Sequence, residues 1–172
     1  MVDALLQVLS EGNGREVSGA ADTLALIGEK AIPRLIETLE SGNARMRHNV
    51  KQVFLRLRPS EATLLIPYLG TCSKTTYRVI VRVLALTWRQ EVERFEPLIK
   101  SADPRVRSAG IDALGQTETA EFVSELEDLL DDTSEVAGFD ERVCDKAVKS
   151  LLRIGTQNAV NAVEVWRIRA AE

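Results

Sequence analysis

The chain has one histidine, His48, in 172 residues. A single imidazole cannot build a multi-histidine metal centre or share two proton-transfer roles with another, so no catalytic metal or cofactor is expected. The only cysteines, Cys72 and Cys144, stand far apart without metal-ligand spacing. That pattern suits a reducing compartment better than a disulfide scaffold. Aromatic residues are 5% of the chain and prolines number 5. No apolar run approaches the ~20 residues of a membrane span. The start, Met1-Val-Asp-Ala-Leu-Leu, has neither a basic leader nor a cleavage site, so a cytoplasmic protein with no membrane partner is expected. No Gly-Lys-Ser/Thr phosphate loop or Gly-x-Ser-x-Gly elbow occurs. Gly12-Asn-Gly14 has Val17 where a dinucleotide loop needs its third glycine, and reads as a turn between helices.

What is present is 45% hydrophobic and 28% charged, the balance of a folded chain. The length suits one domain, 1–172, and the scarcity of proline among helix formers favours an all-α class. The stretch 101–115 sets the pattern. Asp103 can cap a helix, Pro104 fits its first turn, and Gly115 predicts a left-handed exit. Aligned on Val106, the chain gives five anchors: Val17, Met46, Tyr77, Val106 and Val143, separated by 29, 31, 29 and 37 residues. Four positions later stand Ala21, Val50, Val81, Gly110 and Ala147; eight later stand Ala25, Phe54, Ala85, Leu114 and Leu151. Periodicity of this length predicts stacked helical hairpins.

In order, the pattern predicts helices over about 2–10, 15–27, 30–40, 44–57, from Ser60, 75–88, 91–100, 104–115, 119–130, 141–154, and from Gln157 onward. Trp88 returns to the core face eleven positions after Tyr77, and Cys144 reads as semi-buried packing. His48 reads as a surface residue. The acidic segment 131–140 lacks a glycine at the sixth position of a calcium loop and reads as a mobile, solvated loop. In the last helix Ala159, Ala162, Val163 and Trp166 share a face; the oligomeric state is left open.

Residues 103–115, Asp-Pro-Arg-Val-Arg-Ser-Ala-Gly-Ile-Asp-Ala-Leu-Gly, resemble the second helix of a HEAT-like repeat of the short type found in phycobilisome (bilin) lyases. Ala31-Ile-Pro-Arg-Leu-Ile-Glu-Thr-Leu39 looks like the first helix. The resemblance covers roughly residues 15–155. It implies a right-handed α-solenoid of about five hairpins plus a terminal helix, and a role in binding other macromolecules. It also implies a structural arginine at Arg47, Arg78 and Arg107, paired with the polar residue four earlier; only Asp103–Arg107 fits such an ion pair here. HEAT-like di-iron hydroxylases carry repeated His-Glu pairs, which this chain lacks.

The net charge of −4 conceals segregation. Residues 45–90 carry 9 basic and 1 acidic side chains, whereas residues 91–140 carry 4 and 14. Offsets one, five and twelve from Met46 are Arg47, Lys51 and Arg58; from Tyr77 they are Arg78, Arg82 and Arg89. At about 100° per residue these six fall in one narrow strip beside the buried face. Adjacent helices lie about 8–10 Å apart, near one Debye length, so two such strips would together attract an anion. The strip therefore predicts a non-catalytic scaffold or adaptor for an acidic protein or peptide. Two readings stand beside it. One is nucleic-acid binding in the manner of HEAT-like alkylpurine DNA glycosylases, opposed by a pI of ≈ 5.2. The other is a bilin lyase or chromophore chaperone, implied by the repeat type alone.

Overall fold

A computed structural model describes residues 1–171 of the chain. It is α-helical, and among the described residues the only β pairing is the isolated bridge Glu135–Arg142. Two compact units divide it, Met1–Thr87 and Trp88–Glu172.

In the first unit, α1 (Val2–Glu11) packs on α2 (Gly14–Ile27), and α3 (Ile32–Ser41) packs on α4 (Ala44–Phe54). A short α5 (Pro59–Ala62) runs into a 3₁₀ segment, Thr63–Tyr68, and α6 (Lys74–Thr87) follows. Local chemistry sets the starts. The Asn13 side chain accepts N–H bonds from Arg15 and Glu16, while Glu16 accepts the N–H of Asn13 at 2.8 Å. Asn43 caps α4 by accepting from the Met46 N–H at 3.0 Å. The end of α4 falls short of the expected Leu57 because Pro59 follows. The residue before a proline avoids the helical region, and Arg58 is extended, with φ −66° and ψ 155°. Pro67, which has no N–H, lies inside the following segment, and that segment tightens to 3₁₀ where a regular helix was expected.

The second unit opens with a 3₁₀ turn, Val92–Phe95, and α7 (Glu96–Ile99), with Pro97 in its first turn. Then come α8 (Pro104–Thr117), α9 (Val123–Asp128), α10 (Val143–Ile154) and α11 (Gln157–Arg169). Trp88 is fully buried, as expected, edge-on to Phe95 with centroids 5.2 Å apart. Both cysteines are buried, and neither forms a disulfide.

The repeat columns are buried as the periodicity predicts. Every residue four and eight positions after an anchor is buried; of the anchors, Val17 and Val106 are half-buried. Two polar side chains reach between helices inside this core. Asn49 Nδ2 donates to the Leu9 carbonyl at 2.7 Å, and Ser150 Oγ to the Ile111 carbonyl at 2.9 Å. Each satisfies a buried pair at once.

Gly115 corrects an expectation. The left-handed exit lies instead at Glu118, with φ 59°, and α8 runs on to Thr117. Gly115 is buried against α10, where a Cβ would stand 2.8 Å from Ser150 Cβ and 2.9 Å from its Cα. Gly110 does the same towards α7, where a Cβ would meet Leu98 Cβ at 2.8 Å. Both glycines are close-approach residues, so α8 is clamped from two sides. Gly19, in α2, has open space where its Cβ would be. Gly115→Ala is therefore expected to lower unfolding stability by about 1–3 kcal/mol through overpacking. Gly19→Ala should raise it by about 0.5–1 kcal/mol. Urea denaturation of the two variants checks both signs.

Candidate functional site

The basic side chains of residues 45–90 separate into tied and untied groups. Arg45 Nη2 donates to the Gly12 carbonyl at 2.7 Å, joining α4 to the α1–α2 turn. Arg56 donates from Nε to Asp22 at 2.7 Å and from Nη1 to the Gln52 carbonyl at 2.7 Å. Arg47 is half-buried, with Nη1 donating to the Gly42 carbonyl of the turn before its own helix. These three arginines hold the fold of the first unit.

Arg58 leaves the predicted strip. Because α4 has ended, the angular argument no longer reaches it. It precedes α5 and pairs with Glu61, which also accepts the Arg58 backbone N–H at 3.0 Å. The Arg58 side chain, then its backbone N–H, hold the Glu61 carboxyl below its ordinary range. The pair lines a cleft with Asp22, Ala25, Leu26 and Arg56. Arg89 likewise lies beyond the end of its helix, α6, and belongs to the second unit.

Lys51, Arg78 and Arg82 remain on helix. Lys51 is half-buried on α4; Arg78 and Arg82 are exposed one turn apart on α6. The two helices touch within the first unit. Among the described residues, Lys51 and Arg78 meet no carboxylate. Composition explains this: Ala62–Thr87 contains no aspartate or glutamate. His48 is exposed on the same helix as Lys51, as expected.

In the second unit the acidic segment is largely exposed, as expected, but it is ordered rather than a mobile loop. It folds back as a hairpin. Val136 N–H donates to the Glu141 carbonyl at 3.0 Å, Val143 N–H to the Ser134 carbonyl at 3.0 Å, and Cys144 N–H to the Asp132 carbonyl at 2.8 Å. Val136 is buried in one arm of this fold-back. The Phe139 ring receives the Arg105 guanidinium at 5.6 Å and the Lys146 ammonium at 5.2 Å. Lys146 also bridges Asp112 on α8 and Glu141, each at 2.9 Å.

Arg107 is structural, though not through Asp103. It donates from Nε to Asp132 at 2.9 Å, from Nη2 to Ser134 Oγ at 3.2 Å, and from Nη1 to the carbonyls of Ser101 and Ala102. Asp103 instead caps α8, accepting the Arg105 N–H at 2.8 Å. A helical i−4 spacing suggested the wrong partner because Asp103 sits outside the helix.

The charges of this hairpin are tuned by their neighbours. Burial pushes Asp132 up, but hydrogen bonds from Ser134 and the Arg107 charge outweigh it, so its carboxyl stays below the ordinary value. Burial also acts against Glu141 and is outweighed by Lys149 and Lys146. Lys146 is held above the ordinary lysine value because Asp112 and Glu141 overcome its burial. Asp112 alone goes the other way: burial raises it, and the Lys146 charge does not offset that fully.

Residues 62–137 match the family model for HEAT repeats. No curated protein matches the chain. Residues 62–137 thus carry HEAT-like repeats, and the all-α hairpins place the fold in the α-solenoid class. The match is to HEAT repeats as such; it does not extend to the phycobilisome-lyase type. Repeats of this family commonly serve as protein-interaction scaffolds. No described helix is long and apolar enough to cross a membrane, and no described group of three or more His, Cys, Asp or Glu side chains could hold a metal ion.

The lowered carboxyls of Asp132 and Glu141 give the hairpin a pH signature. Their contribution is complete above the unfolded carboxylate value, about 4, and is lost as pH falls through their lower folded values. Asp112 has the opposite sign, being relieved as pH falls through its raised value. Asp132→Asn is expected to cost about 1.5–3 kcal/mol at neutral pH, the range for a hydrogen bond to a charged group. Denaturation at a series of pH values should show that cost shrinking below about pH 4. A cost independent of pH would remove the ion pair from the explanation.

Proposed function

We propose that this protein is a non-catalytic scaffold that binds an acidic segment of another protein on the α4–α6 side of its first unit. The observation that carries the reading is the unneutralised charge there. Lys51 and Arg78 find no carboxylate partner among the described residues, in a chain whose net charge is −4. Other basic side chains are matched by carboxylates, as Arg56 is by Asp22 and Lys146 by Asp112 and Glu141. Holding like charges on neighbouring helices costs the isolated protein repulsion, which an anionic partner converts to attraction. Arg82 adds to the same face, and Arg47 borders it. Arg58 and Arg89 are left out of it, the first because Glu61 already neutralises it and the second because it lies outside this unit.

The face would attract phosphate as well as carboxylate, so nucleic acid is the reading to be separated. The acidic pI of ≈ 5.2 opposes a long polyanion, whose field extends beyond one face. A glutamate-rich peptide and a DNA duplex of equal charge should be titrated against the wild type and a Lys51→Glu/Arg78→Glu/Arg82→Glu variant by fluorescence anisotropy. The peptide is expected to bind the wild type with an affinity that falls as salt rises, and to bind the triple variant at least about tenfold more weakly. Equal peptide affinity for both proteins contradicts the proposal. Tighter binding of the duplex, abolished in the same variant, transfers the face to nucleic acid.

A further inference from the structure

Arg107 and Arg47 occupy the same place in their repeats, each one residue after its anchor, Val106 and Met46. Both turn Nη1 back onto the turn preceding their helix. Arg107 reaches the carbonyl of Ala102 at 3.1 Å and Arg47 that of Gly42; each acceptor lies four residues before the anchor. The outer edges of the two guanidinium groups differ. On Arg107 that edge is filled by Asp132 at Nε and Ser134 at Nη2. Asp132 Oδ1 in turn accepts the Ser134 N–H at 3.0 Å, so Asp-Thr-Ser presents its carboxylate and hydroxyl as one closed turn. On Arg47 nothing among the described residues meets Nε or Nη2. The stretch following the 3₁₀ segment, where the second unit has Asp132 to Ser134, reads Gly70-Thr-Cys-Ser73 in the first. It carries no carboxylate, and Ser73 N–H is already taken by Glu40 at 3.0 Å.

We infer that Arg47 is a docking position for an aspartate–x–serine turn of a partner protein, the chain's own Asp132-Thr-Ser134 on Arg107 being the internal copy of that contact. The inference rests on the proposed scaffold reading and narrows it to one residue and one ligand shape. The physical case is preorganisation. The Gly42 carbonyl fixes one corner of a planar fork, so a carboxylate arriving at the free edge orders little more of the side chain. Arginine pairs with carboxylate through parallel N–H bonds that a lysine cannot reproduce. Arg47 is half-buried, so its side chain has already lost part of its freedom before a partner arrives. Lys51, one turn further along α4, supplies a second positive charge beside it.

The test uses the full chain, labelled with ¹⁵N, and a capped peptide of the sequence Leu-Asp-Asp-Thr-Ser-Glu-Val-Ala. The Nε–Hε resonance of Arg47, assigned by its loss in Arg47→Lys, is followed during titration. It should shift and saturate, and the peptide should bind Arg47→Lys at least about tenfold more weakly. Should Arg47→Lys lose its fold by circular dichroism, the peptides with Ala in place of the second Asp or of Ser carry the same test on the wild type, and each should bind more weakly. An unmoved Arg47 resonance overturns the inference, even if Lys51→Glu and Arg78→Glu still weaken a glutamate-rich peptide and so leave the broader proposal standing. A shift produced equally well by inorganic phosphate also overturns it, by reducing the position to an unselective anion site.

Discussion

Everything in this structure depends on helices that approach closely enough to share one buried face. Small side chains set that distance. Between α8 and α10 the approach is so near that Gly115 has no room for a methyl group beside Ser150, and between α8 and α7 Gly110 plays the same part. The buried columns then need no large side chain at the points of closest contact. Bulk is supplied between those points by residues such as Leu114 and Leu151. A hairpin of this kind covers only one of its own sides, so stability is passed from each pair to the next through such contacts.

The second constraint is charge. A stack of hairpins exposes a long surface for its mass, and each arginine on it must be hydrated, paired or held against a carbonyl. This chain uses all three. Arg45 and Arg47 close turns on backbone carbonyls, and Arg56 and Lys146 join successive helices through carboxylates. Arg107 does both at once, which is why the acidic segment beyond α9 folds onto it. The chain supplies no acid between Ala62 and Thr87, and among the described residues Arg78 of α6 and Lys51 of α4 meet no carboxylate.

Much of this was legible in the residues. The small-apolar columns four and eight positions after each anchor located the buried faces, and Asp103 marked a helix start through its own side-chain bond. The prolines were harder to read. Pro59 shortens α4 and removes Arg58 from the strip, because a constant angle per residue holds only while the helix lasts. Gly115 was misread because a glycine late in a helix suggests an exit, whereas the reason for it lies across the interface in Ser150. The hairpin at 132–142 was hidden by its composition. Asp132 and Glu141 look solvated until their partners, contributed by α8 and α10, are brought alongside by tertiary packing.

We propose the α4–α6 side, with Lys51 and Arg78, as the place where this protein meets its partner. Hydrogen exchange read by mass spectrometry, with and without a bound glutamate-rich peptide, addresses it most directly. The account predicts added protection confined to segments containing residues 45–51 and 78–82. Protection appearing instead over α9 and α11, with α4 and α6 unchanged, would contradict it.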